Sequence, residues 1–300
     1  GSEMCIRDRT RMAQFFRHYL LSLQFFTRVP VTGRLADWVG FSPAMLRASA
    51  AHLPGVGWLV GGVVALGGGV LLALLPASPF APLAVAVLGT VLSVLITGAF
   101  HEDGLADVAD GLGGTQSRER ALEIMKDSRV GAFGAIAVVL ALLAKVSLLA
   151  LLGSLHGAVL CVALFTGHVV SRFWPLLTIR LLPHVGDAAG SKSKPLAEQI
   201  SQASLWVAGL WSLGALALVF IAQAAMVFVV PMPTVQALAL WLGIGVLASG
   251  LAWLGMLRWF ARRLQGFTGD CLGATQQVCE LAFYLGLALA WSAVAGGRPV

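Results

Sequence analysis

"GVGWLVGGVVALGGGVLLALL" (55–75) runs for 21 residues without a charged side chain. About 20 predominantly apolar residues suffice to carry a helix across the hydrocarbon of a bilayer. The glycines in this stretch would weaken a helix in water, but between membrane helices they allow backbones to approach closely. Working outward, six further windows read the same way: Leu83–Phe100, Phe133–Leu152, Gly157–Leu177, Leu205–Val230, Val235–Leu257 and Val278–Gly296. The 300-residue chain is 58% hydrophobic and 11% charged, with mean hydropathy +0.86. Soluble domains carry about 25% charged residues. The expected fold is therefore all-α, a polytopic integral membrane bundle of about seven transmembrane helices.

Charge placement predicts the orientation. With a cytoplasmic N-terminus, segments 1–54, 101–132, 178–204 and 258–277 face the cytoplasm and hold 17 of the 20 Lys and Arg. The opposite connections, "PASPFA" (76–81), "GSLH" (153–156) and "PMPT" (231–234), hold none. Thirteen of the 14 acidic residues share the cytoplasmic side, with Glu280 at the edge of its last segment. Chemistry is thus expected at the cytoplasmic membrane face. The net charge of +6 follows from topology, and no nucleic-acid partner is implied. The lipid bilayer is the expected partner surface, and a homo-oligomer stays open.

The four cysteines, Cys5, Cys161, Cys271 and Cys279, form no paired or metal-binding pattern. The N-terminus is basic and polar without an apolar core, so no signal peptide is expected. "GSEMCIRDRT" (1–10) has neither helical nor strand period; residues 1–11 are expected to be non-native or disordered, with Met12 a plausible start. Residues 12–300 then form a single membrane-embedded domain. "FFRHYLLSLQFF" (15–26) is too short and polar to span and reads as an interfacial helix. The 178–204 segment, rich in Gly, Ser and Lys, reads as a mobile loop.

The acidic stretch is "HEDGLADVADGLGG" (101–114). It follows a region with no Asp, Glu, Lys or Arg after Arg47, and then places Glu102, Asp103, Asp107 and Asp110 within nine residues. On a helix, Asp103, Asp107 and Asp110 fall at i, i+4 and i+7, on a single face. Like charges so placed repel, and a cation relieves the repulsion. Mg²⁺ commonly joins one or two carboxylates to substrate phosphates. Glu102, Asp103, Asp107 and Asp110 are therefore candidate metal ligands, and Asp107 and Asp110 candidate catalytic groups. Gly111, Gly113 and Gly114 could admit an anion close to backbone N–H groups. A solvated acidic loop is the plainer reading, but carboxylates at membrane depth are functional by default.

Three further clusters could complete a phosphate site. Lys126, Asp127 and Arg129 stand before the third span, where topological anchoring explains the cations about as well. Arg258, Arg262 and Arg263 close a span before "QGFTGDCLG" (265–273), where Thr268 or Asp270 would cap the last helix. Of these, Arg262, Thr268 and Asp270 are the candidate substrate contacts. Arg172, with His168 one turn earlier, could point into the same cleft or snorkel. Lys145, deep in the third span, is read as snorkelling or structural. It is nearly alone at mid-membrane, which argues against a transporter with a buried site.

Five stretches, "QFFTRVPV" (24–31), "LPGVGWLVG" (53–61), "GAFHEDGLADVADGLGG" (98–114), "RALEIMKDSRVGAFG" (120–134) and "TGDCLGAT" (268–275), resemble the cobalamin synthase family in content and order. This is the adenosylcobinamide-GDP ribazoletransferase family, and the likeness covers nearly everything after about residue 15. The resemblance implies a multi-pass bacterial inner-membrane enzyme dependent on Mg²⁺. Its substrates would be adenosylcobinamide-GDP and alpha-ribazole, or alpha-ribazole 5′-phosphate, with GMP released. It implies that "EDGLADVAD" carries the metal and diphosphate site, and that "KDSRVGAFG" and "TGDCLGAT" are active-site segments. Two positions depart from the family pattern: His52 replaces an aromatic, and Gln265 breaks a Gly-Gly pair. The site is also similar to that of CDP-alcohol phosphotransferases. Here, however, one residue rather than two separates Gly104 from Ala106, Asp107 stands where their Arg follows Ala, and their later acidic repeat is missing.

Overall fold

A computed structural model describes residues 2–186, 200–225, 230–232 and 234–294. The expectation of a mobile loop at 178–204 falls largely on residues outside this range. Among the described residues thirteen α-helices follow in order: α1 (Ser2–Phe26), α2 (Arg34–Val39), α3 (Pro43–Ser49), α4 (Leu53–Leu74), α5 (Ala81–Thr97), α6 (Phe100–Gly114), α7 (Arg118–Ile124), α8 (Ala132–Leu155), α9 (Gly157–Val170), α10 (Trp174–Leu181), α11 (Gln202–Ala224), α12 (Val235–Arg263) and α13 (Gly269–Val294). No strand occurs among the described residues; only an isolated bridge joins His184 and Phe267. α1 begins at Ser2, inside the stretch that the sequence sets apart as 1–11.

Among the described residues six helical segments are long and apolar enough to cross a membrane, or seven if α5 and α6 count as one bent span. They overlap the expected spans, although the last helix begins at Gly269 rather than Val278 and the Gly157–Leu177 span is interrupted between Val170 and Trp174; the largest difference is elsewhere. The Leu83–Phe100 span stops at Thr97, and α6 leaves α5 at 89°. Gly98 (φ 67°) and Ala99 (φ 59°) both adopt left-handed backbone at this corner. Glycine does so freely, whereas alanine does so at a steric cost. α6 therefore does not continue the crossing; it runs across the bundle and packs against α13 and α8.

The glycines of α4 do what membrane packing requires. A Cβ on Gly61 would stand 2.8 Å from the carbonyl oxygen of Phe165 on α9, so the two helices touch backbone to backbone. α8 shows the complementary pattern. Few of its side chains are buried, and Ile136, Val139, Leu140 and Leu143 lie exposed along an apolar flank. In water such a flank would be unfavourable; against lipid it costs nothing.

The two departures from the family pattern are locally accommodated. Gln265 has φ 55°, a conformation that a glycine at this turn would adopt without strain. His52 takes an aromatic's place within an aromatic cluster. Its ring centroid lies 4.6 Å from that of Phe15, and its Nδ1 accepts from Trp211 Nε1 at 3.2 Å.

Candidate active site

The acidic stretch is helical, as its spacing predicts, but its three aspartates do not share one environment. Asp103 is exposed, Asp107 partly buried and Asp110 buried. α6 is held against the start of α13 through glycine: a Cβ on Gly104 would stand 2.8 Å from the Asp270 carbonyl oxygen. This brings Asp270 to the acidic helix. Burial first, then the charges of Asp270, Asp103 and Asp110, push the Asp107 carboxyl up to about 7. Asp103, Asp107 and Asp270 thus form a surface where negative charge is crowded and, at Asp107 and Asp270, partly desolvated.

Asp110 is turned away to another task. Its Oδ2 accepts from Gly131 N at 2.7 Å and its Oδ1 from Gly134 N at 2.8 Å. Both N–H groups belong to the first turn of α8, whose opening residues have no intrahelical partners. Asp110 therefore caps α8 across the chain. A Cβ on Gly134 would also meet the carbonyl oxygen of Ala106 at 2.8 Å, so the "VGAFG" glycines make room for the clamp. The expectation of Asp110 as metal ligand and base meets a carboxylate whose two oxygens are already engaged.

Glu102, also expected in the ligand set, is placed differently from the aspartates. It is buried, and its Oε1 accepts from Gln277 Nε2 of α13 at 3.1 Å. Its position, roughly 100° around the helix from Asp103, faces the α6–α13 contact rather than the open surface.

The glycine tract serves packing. Gly111 is buried beneath α7, where a Cβ would meet the Ala121 carbonyl oxygen at 3.0 Å. Gly113 lies against the Phe133 ring (3.1 Å) and Gly114 farther from it (3.8 Å). Arg263, rather than Arg262, ties the end of α6 down: it donates to Leu112 O at 3.2 Å and to Thr115 O. Arg118 Nε donates to Leu264 O at 2.7 Å and joins α7 to the same turn. Arg262 is exposed at the end of α12.

Asp127 and Arg129 pair with each other. The guanidinium donates from Nε at 3.0 Å and from its terminal nitrogen at 2.6 Å, both to the Asp127 carboxylate. Those hydrogen bonds hold Asp127 down at about 2. The pair is solvent-exposed, so it shapes the turn more than it stabilises the fold. Lys126 is exposed on the same turn. Thr268 sits at the start of α13, where its Oγ1 donates to Asp270 Oδ2 at 3.2 Å and accepts from Cys271 N at 3.5 Å. Both residues expected to cap α13 are therefore at its first turn.

Arg172 does not open onto the acidic surface and does not snorkel. It is 1% exposed, and one terminal nitrogen donates to His168 O at 2.7 Å. Lys145 does not snorkel either; its Nζ lies 2.8 Å from Glu280 Oε1. Glu280, placed by the sequence at the rim of a cytoplasmic segment, is buried within α13. Gln276, Gln277 and Tyr284 from the same face complete a polar cluster. The sequence pointed to this cluster only through Lys145, and the spacing 276, 277, 280 and 284 on one helical face was the readable signal. With these groups inside the bundle, Lys145 is not alone at mid-membrane, and isolation cannot be the ground for setting the transporter reading aside.

The architecture defines a multi-pass α-helical membrane protein with a carboxylate surface where a transverse helix meets the start of its last helix. Residues 18–288 match the cobalamin-5-phosphate synthase family, and the chain belongs to that family. It is 69% identical over 278 residues to the adenosylcobinamide-GDP ribazoletransferase of Albidiferax ferrireducens, covering 93% of this chain and 99% of that protein. It is 60% identical over 290 residues to the protein of the same name from Polaromonas naphthalenivorans, covering 93% and 99%. The protein of that name from Vibrio cholerae is 40% identical over 269 residues, covering 89% and 91%. No solved structure matches the chain.

Proposed function

We infer that this protein is the membrane transferase that completes the nucleotide loop of cobalamin. It joins adenosylcobinamide-GDP to alpha-ribazole, or to alpha-ribazole 5′-phosphate, with release of GMP. The family match over residues 18–288 carries this reading. The desolvated carboxylate surface of Asp103, Asp107 and Asp270, which lies within the family's shared stretches, supports it. We place the enzyme in the bacterial inner membrane with its N-terminus and carboxylate surface on the cytoplasmic side, supported by the distribution of Lys and Arg.

A free ribose hydroxyl of the acceptor, one that a 5′-phosphate does not occupy, attacks the phosphorus attached to the cobinamide side. A new P–O bond forms, the bond to the bridging oxygen breaks, and GMP departs with that oxygen. A donor diphosphate brings further negative charge to the carboxylates, so a cation must balance the encounter. Among the described residues, no three His, Cys, Asp or Glu side chains are arranged to hold a metal ion by themselves. The crowded surface instead fits a Mg²⁺ shared between one or two carboxylates and the phosphates. One or two of Asp103, Asp107 and Asp270 would hold it. Mg²⁺ there would neutralise the diphosphate and the charge developing on the leaving GMP.

Where the other carboxylates hold the cation, Asp107, raised toward neutrality, is suited to accept the proton of the attacking hydroxyl. Asp110, whose two oxygens each accept an N–H at the start of α8, is less suited to that task and holds the start of α8 against α6. Incubating the purified protein with adenosylcobinamide-GDP, alpha-ribazole and Mg²⁺ should yield a corrinoid of the joined mass and one GMP per product. CMP release from a CDP-alcohol instead would show a phospholipid-type transferase.

A further inference from the structure

Glu102 belongs to the acidic helix but not to its acidic surface. It is 8% exposed, its Oε1 accepts from Gln277 Nε2, and its Oε2 is buried without a hydrogen-bond partner. Gln277 Nε2 also lies 3.1 Å from Gln276 Oε1. Gln276 Nε2 in turn donates to Glu280 Oε2 at 2.7 Å and to Ser171 Oγ at 2.9 Å. Glu280 Oε1 receives Lys145 Nζ at 2.8 Å and Tyr284 OH at 2.7 Å. Arg172 joins the same cluster through His168, whose Nδ1 lies 3.1 Å from an Arg172 terminal nitrogen and 3.7 Å from Glu280 Oε1.

Two cations and two carboxylates are thus shielded together, drawn from α6, α8, α13 and the break between α9 and α10. Buried charges are tolerated when paired and hydrogen-bonded, and a connected polar network specifies one arrangement of the elements that build it. Here the arrangement bears on the site. Glu102 directly precedes Asp103. Gln277 lies two turns beyond Asp270 on the same helix, about 10 Å along its axis. α6 is therefore fixed to α13 at two points, the Gln277–Glu102 hydrogen bond and the contact of Gly104 with the Asp270 backbone. Any rotation of α6 that carries Asp103 and Asp107 away from Asp270 breaks the first.

We propose that Glu102 is a positioning residue, not a metal ligand: keyed by Gln277 into the buried Glu280–Lys145–Arg172 network, it sets the rotation of α6 and so aims Asp103 and Asp107 at Asp270. This rests on reading those three aspartates as the reacting surface.

The test compares the full chain, purified in nanodiscs, as Glu102→Gln and Gln277→Leu, with kcat, donor KM and Mg²⁺ half-saturation measured. Glu102→Gln keeps the acceptor for Gln277, so kcat should stay within about five-fold of the parent and Mg²⁺ half-saturation within about two-fold. Gln277→Leu removes the donor; kcat should fall by about ten-fold or more, as for other groups that act through a ligand, with donor KM and Mg²⁺ half-saturation within about two-fold. A rise of about ten-fold or more in Mg²⁺ half-saturation for Glu102→Gln makes Glu102 a ligand and overturns the proposal. So does a Gln277→Leu protein that turns over at the parental rate. Should Gln277→Leu fail to fold, the isosteric Glu102→Gln decides alone. The carboxylate-surface reading stands or falls separately, on whether Asp103→Asn and Asp107→Asn lose turnover.

Discussion

Lys145 on α8 and Glu280 on α13 meet at 2.8 Å inside the helix bundle, with 2% and 1% of their side chains exposed. Each charge stabilises the other there. Removing one member of a buried pair typically costs about 3–5 kcal/mol, whereas replacing both can be nearly neutral. Lys145→Met should therefore destabilise the protein in detergent by roughly that amount. The double variant Lys145→Met/Glu280→Gln should recover at least half of the loss, read as the midpoint of thermal unfolding. Equal loss in the single and double variants would mean that the two residues do not act as a pair.

Asp110 should behave as a structural clamp. Asp110→Ala leaves a buried N–H at Gly134 and a partly buried one at Gly131 without their acceptor, at about 1–3 kcal/mol for a fully buried group. Asp103→Asn, on an exposed side chain, should leave the unfolding midpoint within about 0.5 kcal/mol of the parent. Thermal unfolding of the two variants side by side checks this. A fully stable Asp110→Ala protein would contradict the clamp.

Asp107 gives the protein a pH-dependent need for a cation. Its carboxyl titrates at about 7 in the fold against an ordinary 3.8, so the fold favours its protonated form. That contribution to stability is complete below the ordinary value and is lost as the pH rises from about 4 to about 7. Without metal, the unfolding midpoint should fall across this window. Added Mg²⁺ competes with the proton, so it should raise the midpoint more at pH 8 than at pH 5.5. Asp107→Asn should flatten both effects, and a Mg²⁺ shift independent of pH would remove Asp107 from the cation site.

Much of this architecture could be read from the chain, because membrane spans need only length and apolarity. The 55–75 stretch gave α4 almost to the residue. The i, i+4, i+7 spacing gave the helix of Asp103, Asp107 and Asp110. Periodicity fixes which side chains share a helix face but not what that face meets. Asp110 therefore looked like a partner of Asp107, although Gly131 and Gly134 claim it from a different helix. The right-angle corner at Gly98–Ala99 carried only a weak sign, a Gly-Ala pair inside an apolar run. Glu280 lay one turn into the last helix, where charge counting placed it at the membrane rim. Only the packing of α13 against α8 shows that it answers Lys145. Gln265 is the opposite case: the missing glycine marks the very turn where φ is positive.

The most direct measurement is GMP release from adenosylcobinamide-GDP, with alpha-ribazole and Mg²⁺, by the parent protein and by Asp103→Asn and Asp107→Asn variants shown to unfold at the parental temperature. The carboxylate surface predicts Mg²⁺-dependent release by the parent and a loss of about 100-fold or more in each variant, the scale on which single groups that stabilise transition-state charge act. Parental turnover in both folded variants would contradict it.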